Sequence, residues 1–202
     1  MKQKMFILGL IFLILSCGKD NDSSVQPPDN AETYWYCELD GKQVNLAIVT
    51  GLEDIETYIN IESTVAPIGK GNSFFKLTSG LYKSVGNKTG YNLTKGTMVI
   101  QNGGYPTDEQ FEEFMSDQNN AFSVNAVNGI EVSYYDEQAA FWSTSQGSQI
   151  GSNFKITKIT PVMIFGDIYM TIEAQFNCSL YNATGSKIIL SNGKAKLTFE
   201  YI

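Results

Sequence analysis

Apolar and polar side chains alternate along several segments of this chain, with Asn, Asp and Gly between the segments. Successive side chains of a strand point to opposite faces, so Trp35, Cys37 and Leu39 share one face of a predicted first strand. The dipeptide that follows, Asp40-Gly41, is typical of a two-residue hairpin turn. The segment 168–181 alternates in the same way and predicts a long strand with one wet face. This pattern restricts the chain to a mainly antiparallel β fold.

Further short strands are predicted between the two ends of the chain, at 55–62, 73–77, 97–101, 121–126, 129–135, 139–143 and 154–159. Asn192-Gly193 predicts the tight turn of a second hairpin, followed by a last alternating strand at 194–201. Many short strands joined by Gly and Asn turns favour an antiparallel β-sandwich or barrel-like domain over a parallel α/β fold. Of these two β architectures we expect the sandwich.

One segment has helical periodicity instead. Thr107 and Gln110 match a capping box, and Phe111, Phe114 and Met115 lie on one helical stripe. These residues predict one short α-helix that docks over an edge or opening of the β structure. The outer face of this helix is acidic and carries Asp108, Glu109, Glu112, Glu113 and Asp117. We interpret these acids as solvated groups that gain from the helix dipole, rather than as a calcium site.

The first residues differ from the rest of the chain. Two lysines and a short apolar run precede Ser16-Cys17. The run is too short to cross a bilayer, which takes about 20 residues, so residues 1–16 are predicted to be a secretion signal. Ser16-Cys17 resembles the cleavage point of bacterial lipoproteins, and this resemblance implies that Cys17 carries acyl chains that hold the protein on a membrane. The alternative is an ordinary signal peptide with a chance cysteine.

The remaining sequence divides into two parts. Residues 17–33 are polar and contain almost no large aliphatic residues, so they are predicted to be a disordered tether behind the lipidated Cys17. Residues 34–202 have the length of one domain. We therefore expect a single β-rich domain that stands off from the membrane.

Charge and composition exclude several functions. The formal net charge is -7, all basic residues are Lys, and the chain has no Arg and no His. Such a chain would be repelled by a phosphate backbone, so no nucleic acid partner is expected. Without His, neither a Ser-His-Asp triad nor a His zinc ligand can form. We expect no cofactor, no metal and no enzymatic activity, although paired carboxylates remain possible.

The segment around the predicted bend at 136–138 contains the candidate ligand-binding residues, Tyr135, Asp136 and Trp142. An aromatic ring can stack on the C–H groups of a sugar, while Ser, Asn and Gln bind its hydroxyls. The alternative is that these rings pack in the core or across strands.

Cys37 and Cys178 form a second candidate pair, because both fall on the apolar face of a predicted strand. In an exported protein they could form a disulfide if their strands are neighbours. The alternative is two buried free thiols.

The stretch "SYYDEQAAFWSTSQGSQIGSNFKIT", with "LDGKQV" near the start and "IILSNGKAKLTF" near the end, resembles a family of uncharacterised Bacteroidota envelope lipoproteins. The resemblance covers most of residues 34–202. It rests on an early aromatic strand with an Asp-Gly-Lys turn, a middle Tyr-x-Asp … Trp-Ser … Gly-Ser-x-Phe-x-Ile-Thr stretch and a terminal Asn-Gly hairpin. It implies a β-rich lipoprotein of the cell envelope and transfers no activity.

The leading functional hypothesis is a non-catalytic binding or accessory module, lipid-anchored to the outer membrane on its periplasmic or exposed side. Its ligand would be a glycan or an envelope protein. One alternative is a purely structural envelope lipoprotein. Another is a carboxylate-dependent glycan hydrolase, which would need two carboxyl groups about 5 to 10 Å apart in an aromatic cleft.

Overall fold

The computed structural model describes residue 27 and residues 30–49, 55–83, 89–117, 120–123 and 128–201. The predictions on the secretion signal, on Cys17 and on most of the tether lie outside these residues. In chain order the main elements are β1 Thr33–Leu39, β2 Lys42–Ile48, β3 Ile55–Thr64, β4 Ser73–Lys83, β5 Gly90–Ile100, α1 Asp108–Ser116, β6 Ile130–Tyr135, β7 Phe141–Ser143, β8 Asn153–Ile164, β9 Asp167–Tyr181 and β10 Lys187–Glu200. The predicted mainly β domain with one short α-helix is confirmed.

The ten strands belong to one curled antiparallel sheet. The strand order is β2-β1-β10-β9-β7-β6-β5-β4-β3, and β8 also pairs with β9. β7 meets β9 at one residue pair, Ser143 and Tyr181. We therefore divide the sheet into two halves. The β9 half contains β1, β2, β8, β9 and β10, and the β5 half contains β3 to β7.

The two halves face each other across the core, where β4 contacts β10. The sandwich that we expected would consist of two separate sheets, but here one strand connects the layers. This is possible because β9 has 15 residues. It pairs with β8 as far as Asn177 and still reaches β7 at Tyr181. The result is one sheet folded into two facing layers.

The core is built around Trp35 of β1, which is fully buried. Its ring centroid lies 5.1 Å from that of Phe176 on β9 and 5.7 Å from that of Tyr91 on β5. Trp35 thus joins the inner faces of both halves. The predicted inward face of the first strand is confirmed, since Trp35 and Cys37 are buried.

The two predicted tight turns have different outcomes. Asp40 and Gly41 have φ angles of 47° and 75° and connect β1 to β2, so the first hairpin is confirmed. Asn192-Gly193 is not a hairpin turn, and this prediction is wrong. β10 continues through the dipeptide with a bulge, in which Asn192 has a φ of 54°. Some bulges also take a residue with positive φ, as this one does at Asn192, so the dipeptide alone does not distinguish the two structures.

The predicted strands also differ from the structure in their bounds, and β4, predicted to end at 77, continues to Lys83. β5 begins at Gly90, seven positions before the predicted start at 97. β8 continues through Pro161 to Ile164, because an edge strand tolerates a residue without an N–H group. The strand predicted at 121–126 is wrong in its described part, where Phe122 makes only an isolated bridge to Ile130. Its residues 124–127 lie outside the described part of the chain.

The helix α1 has the predicted capping box. The main-chain N–H of Gln110 donates to Thr107 Oγ1 at 3.3 Å, and the N–H of Thr107 donates to Gln110 Oε1 at 2.9 Å. Phe111 and Met115 are buried, and the Phe111 ring lies 5.3 Å from that of Tyr201. Within the described ranges, no helix is long and apolar enough to cross a membrane.

The C-terminal end of α1 is held by a lysine from β5. Lys95 Nζ donates to the carbonyl oxygens of Met115 at 2.7 Å and Asp117 at 2.9 Å. The last carbonyls of a helix lack partners in the next turn, and a cation there is favoured by the helix dipole. Burial nevertheless lowers the pKa of Lys95 to about 8. Lys95 therefore connects the helix to the sheet.

Cys37 and Cys178 are buried free thiols, so the disulfide alternative is not what the structure has. β10 lies between β1 and β9, and two strand spacings are roughly 10 Å. A disulfide needs Cα atoms within about 7 Å. Burial raises the pKa of Cys37 to about 12 and also raises the pKa of Cys178. Both thiols are therefore held in the protonated form.

Candidate functional site: a groove on the outer face of the β5 half

A groove of about 480 Å³ lies on the face of the β5 half that points away from the core. The strand register arranges the residues of this face in rows across the strands, three of which pass through the groove. The first row contains Asn60, Thr78, Thr94 and Glu131. The second contains Tyr58, Gly80, Asn92, Ser133 and Ser143. The third contains Glu56, Tyr82, Gly90, Tyr135 and Phe141.

The floor of the groove is made of small residues. A Cβ atom at Gly80 would overlap the main-chain carbonyl oxygen of Tyr91 and the side-chain oxygen of Asn92. Only glycine therefore fits at position 80, and the Asn92 amide group lies over it. Thr78 and Thr94 share a hydrogen bond of 2.8 Å between their hydroxyl oxygens. The floor thus presents an amide and hydroxyls close to the backbone.

Aromatic rings form the margin of the groove. Tyr58 on β3 and Tyr135 on β6 are 42% and 41% exposed. The Tyr135 ring centroid lies 5.0 Å from that of Phe141 on β7. On the β4 side, the Tyr82 hydroxyl donates to the carboxylate of Glu56. The margin therefore offers flat apolar surfaces on both sides of a polar floor.

Glu131 lies at the β6 side of the floor and is only 5% exposed. Its Oε1 accepts hydrogen bonds from Ser143 Oγ at 2.6 Å and from Ser145 Oγ at 3.1 Å. Its Oε2 is buried and finds no hydrogen-bond partner among the described residues. Ser145 belongs to a short 3-10 helix, Thr144–Gln146, which follows β7 directly. One carboxylate oxygen of Glu131 is therefore hydrogen-bonded, and the other has no hydrogen bond from the described residues.

The charges of the groove are mostly negative. Lys76 Nζ lies 3.9 Å from Glu62 Oε2, and both residues line the groove. The charged residues that line the groove are one lysine, Lys76, and two glutamates, Glu62 and Glu131. The local charge does not favour a phosphate, sulfate or carboxylate ligand.

The residues predicted from the sequence are separated by the β6–β7 hairpin. Tyr135 lines the groove. Asp136 lies in the turn, where its Oδ1 accepts from the main-chain N–H groups of Gln138 at 3.0 Å and Ala140 at 2.8 Å. Trp142 Nε1 donates to Asp136 Oδ2 at 3.1 Å, and its ring packs against the core on the opposite face from Phe141. Asp136 and Trp142 are therefore hydrogen-bonded to each other and stabilise the turn, whereas Tyr135 lines the groove.

The pKa of Asp136 reflects the hydrogen bonds that its carboxylate accepts in the turn. Partial burial tends to raise it, but the hydrogen bonds from Trp142, Ala140 and Gln138 together leave it lower than usual. The three donors therefore favour the ionised carboxylate. Asp136 acts here as a structural acceptor.

Most of the groove was not predicted from the sequence. Tyr58, Asn92 and Glu131 lie on three different strands, and only the register brings them to one face. One available signal was a glycine inside a strand, which often marks a close approach of neighbouring backbones. Gly80 is such a residue.

The other outer face offers a weaker candidate, a groove of about 500 Å³ beside β8, β9 and β10. Four of its lining residues are charged, two others, Thr57 and Ile59, come from β3, and Lys158 Nζ lies 3.7 Å from Glu173 Oε1. Across the parts of the chain that the structure describes, no cluster of three or more Cys, Asp or Glu is placed to hold a metal ion. The groove on the β5 half is therefore the better candidate.

The chain was compared with protein-family models, with curated protein sequences and with solved structures. None of the three comparisons found a match. The resemblance to Bacteroidota envelope lipoproteins therefore stays a prediction, and the groove on the β5 half is the candidate functional site on its geometry alone.

Proposed function

We propose that the protein is a non-catalytic lipoprotein of the cell envelope whose groove on the β5 half binds a neutral glycan. The observation that carries this proposal is the combination of an aromatic margin with a polar floor in one open groove. Pyranose rings have apolar C–H faces and hydroxyl edges. Tyr58, Tyr135 and Phe141 suit the faces, and the hydroxyls and amides of the floor suit the edges.

The size and charge of the groove support the same ligand class. Its volume of about 480 Å³ falls within the range of small-molecule sites, roughly 300 to 1,000 Å³. Its carboxylates and the net charge of -7 would repel an anionic glycan. A neutral polysaccharide or oligosaccharide is therefore the proposed ligand, in preference to an acidic one.

The spacing of the carboxylates supports binding over hydrolysis. The carboxylates that line the groove, Glu131 on β6 and Glu62 on β3, arise from backbones three strand spacings apart, roughly 14 Å, so both side chains would have to lean toward each other to reach the separation found in a hydrolase. Glycoside hydrolases place their two carboxyl groups about 5 to 10 Å apart. Glu62 is also paired with Lys76. An envelope-protein ligand and a purely structural role are the remaining alternatives.

The anchoring part of the proposal depends on Cys17 and on the resemblance of Ser16-Cys17 to a lipoprotein cleavage point. Acyl chains on Cys17 and a polar tether would hold the domain near a membrane while leaving the groove accessible. Replacing Cys17 with Ala in the full chain should release the protein from the membrane fraction of the producing cells. Membrane retention of the Cys17→Ala protein would contradict the anchor.

Glycan binding is tested by affinity electrophoresis and calorimetry with neutral polysaccharides. The variants Tyr58→Ala, Tyr135→Ala and Phe141→Ala should each weaken binding by about tenfold, since each removes a stacking surface worth about 1 kcal/mol or more. Tyr105→Ala is the control, because Tyr105 is 64% exposed and does not line the groove.

Two results would overturn the proposed function. One is equal polysaccharide binding by the groove variants and by the wild type. The other is cleavage of a polysaccharide by the wild type that disappears in Glu131→Gln, which would assign the groove to a hydrolase.

A further inference from the structure

A second segment continues the groove beyond Glu131. It has a volume of about 560 Å³ and lies between the end of β7 and the turn that joins β9 to β10. Its own residues are Ser145, Gln146, Asn182, Ala183 and Gly185. It shares Lys76, Glu131 and Phe141 with the first segment. The two segments therefore form one elongated depression that crosses from the β5 half to the edge of the β9 half.

We infer that this depression binds an extended oligosaccharide, one long enough to occupy both segments, and that Glu131 fixes the position of the sugar at their junction. This inference rests on the proposed function and adds the length of the ligand and the residue that sets its register. A monosaccharide or disaccharide would fill only one segment.

Glu131 has the properties of such a positioning group. The two serine hydroxyls hold Oε1 and so fix the orientation of the carboxyl group. Oε2 has no partner in the described chain, and a buried acceptor without a hydrogen bond is unfavourable. A ligand hydroxyl that donates to Oε2 would remove this penalty. An apolar or deoxygenated group at the same place would leave it, which is how a buried polar group gives specificity.

The surroundings of the second segment fit a chain of neutral sugars. Ser145 and Gln146 supply hydroxyl and amide groups at its β7 side. On the other side, Asn182 Oδ1 accepts from the N–H groups of Thr184 at 3.1 Å and Ser186 at 2.9 Å, which holds the turn in place. The shared Phe141 ring provides an apolar surface at the junction. Polar groups and an aromatic surface thus continue along the whole depression.

The first test uses chain length and needs no variant. The affinities of the wild-type protein are measured by calorimetry for cello-, xylo-, manno- and malto-oligosaccharides, each from disaccharide to octasaccharide. For the series that binds, affinity should rise by about tenfold or more from the disaccharide to the hexasaccharide, because only the longer chain contacts both segments. If the disaccharide binds as tightly as the hexasaccharide, the extended ligand is wrong.

The second test removes the acceptor. Glu131→Gln keeps the side-chain volume and one oxygen for the two serines, but places an NH₂ group where Oε2 was. It should lower hexasaccharide affinity by about tenfold or more. Glu113→Gln is the matched control, because Glu113 is an exposed acid on α1 far from the groove in sequence and outside its lining. Unchanged affinity in a folded Glu131→Gln protein would overturn the role of Glu131.

The third test separates the two segments. Gln146 is exposed and lines only the second segment. Gln146→Ala should weaken hexasaccharide binding several-fold and leave disaccharide binding in the first segment unchanged. If no oligosaccharide or polysaccharide binds at all, the proposed function fails and this inference with it. If all lengths bind equally and Gln146→Ala has no effect, only this inference fails.

Discussion

Both halves of the sheet carry the same device on their outer faces, a pair of threonines on neighbouring strands whose hydroxyls bond to each other. In the β5 half, Thr78 and Thr94 lie 2.8 Å apart, and in the β9 half, Thr171 and Thr198 lie 3.0 Å apart. The neighbours of the two pairs differ. The β5 pair adjoins the row of Gly80 and Asn92, whereas the β9 pair adjoins the row of Glu173 and Lys196.

The difference shows that side-chain length, not strand geometry, decides what an outer β face can do. Long Lys and Glu side chains cover the backbone with their stems and keep their charged ends in water. Glycine and short polar residues leave the backbone uncovered at the bottom of the groove, and the aromatic rings on neighbouring strands form its sides. One antiparallel scaffold thus gives an outer face with long charged side chains on one half and a groove with a low polar floor on the other.

The first prediction tests whether the low floor is a structural requirement. Gly80→Ala should lower the free energy of unfolding by about 3 kcal/mol, because its Cβ would overlap the Tyr91 carbonyl oxygen and force β4 and β5 apart. Gly90→Ala is the control in the same groove. A Cβ there would lie 3.5 Å from that of Tyr82, which is ordinary contact. Chemical denaturation measures both, and equal stabilities of the two variants would refute the requirement.

The second prediction compares a buried with a solvated lysine. Lys95→Met in the β5 half should lower the free energy of unfolding by about 2 kcal/mol, because the carbonyls of Met115 and Asp117 lose their donor. Lys158→Met in the β9 half should cost less than about 0.5 kcal/mol, since it removes only an exposed ion pair. Thermal and urea unfolding measure the difference. An equal loss in both variants would contradict the role of Lys95 at the helix end.

The pH dependence of stability sharpens the same comparison. The pKa of Lys95 is about 8 in the folded protein, below its ordinary value of 10.5, so the unfolded chain binds more protons between these values. The unfolding free energy of the wild type, relative to that of Lys95→Met, should therefore rise as the pH increases from about 8 to about 10.5. The buried thiols are present in both proteins and cancel. A difference that stays constant over this range would contradict the lowered pKa.

The smallest expected effect concerns the threonine pairs themselves. Thr78→Val and Thr171→Val should each lower the unfolding free energy by about 1 kcal/mol, since each removes one buried hydroxyl from a hydrogen-bonded pair. Only Thr78→Val should also weaken glycan binding, because only Thr78 lies on the floor of the β5 groove. Loss of binding in both variants would show that the two faces do not differ in function.

The sequence was sufficient for the elements that depend on local pattern. The alternation around Trp35, the Asp40-Gly41 turn and the Thr107 capping box are all found where they were predicted. Each depends on residues close together in the chain. The start of β5 was missed because Lys95 falls on its inner face and interrupts the apolar alternation.

The groove could not be predicted in this way. Whether Glu131 lies beside Thr94 or beside another residue depends on strand register, and register depends on the packing of the whole sheet. The same applies to Trp142, which was a candidate ligand-binding residue with core packing as the alternative. The structure has an open groove without Trp142, because the ring falls on the opposite face from Phe141.

The two halves of the sheet differ in how far apart their paired strands lie in the chain, and this has a consequence for the order of folding. The strands of the β5 half are continuous in the chain, from Ile55 to Ser143, whereas β1 must find β10 across more than 150 residues, as in the contact of Glu38 with Ser191. Closing the longer loop costs more entropy and slows pairing. We therefore expect the five strands of the groove to assemble as an early unit. The β1–β2 hairpin would then be the last part of the sheet to dock, because its partner strand β10 lies at the far end of the chain.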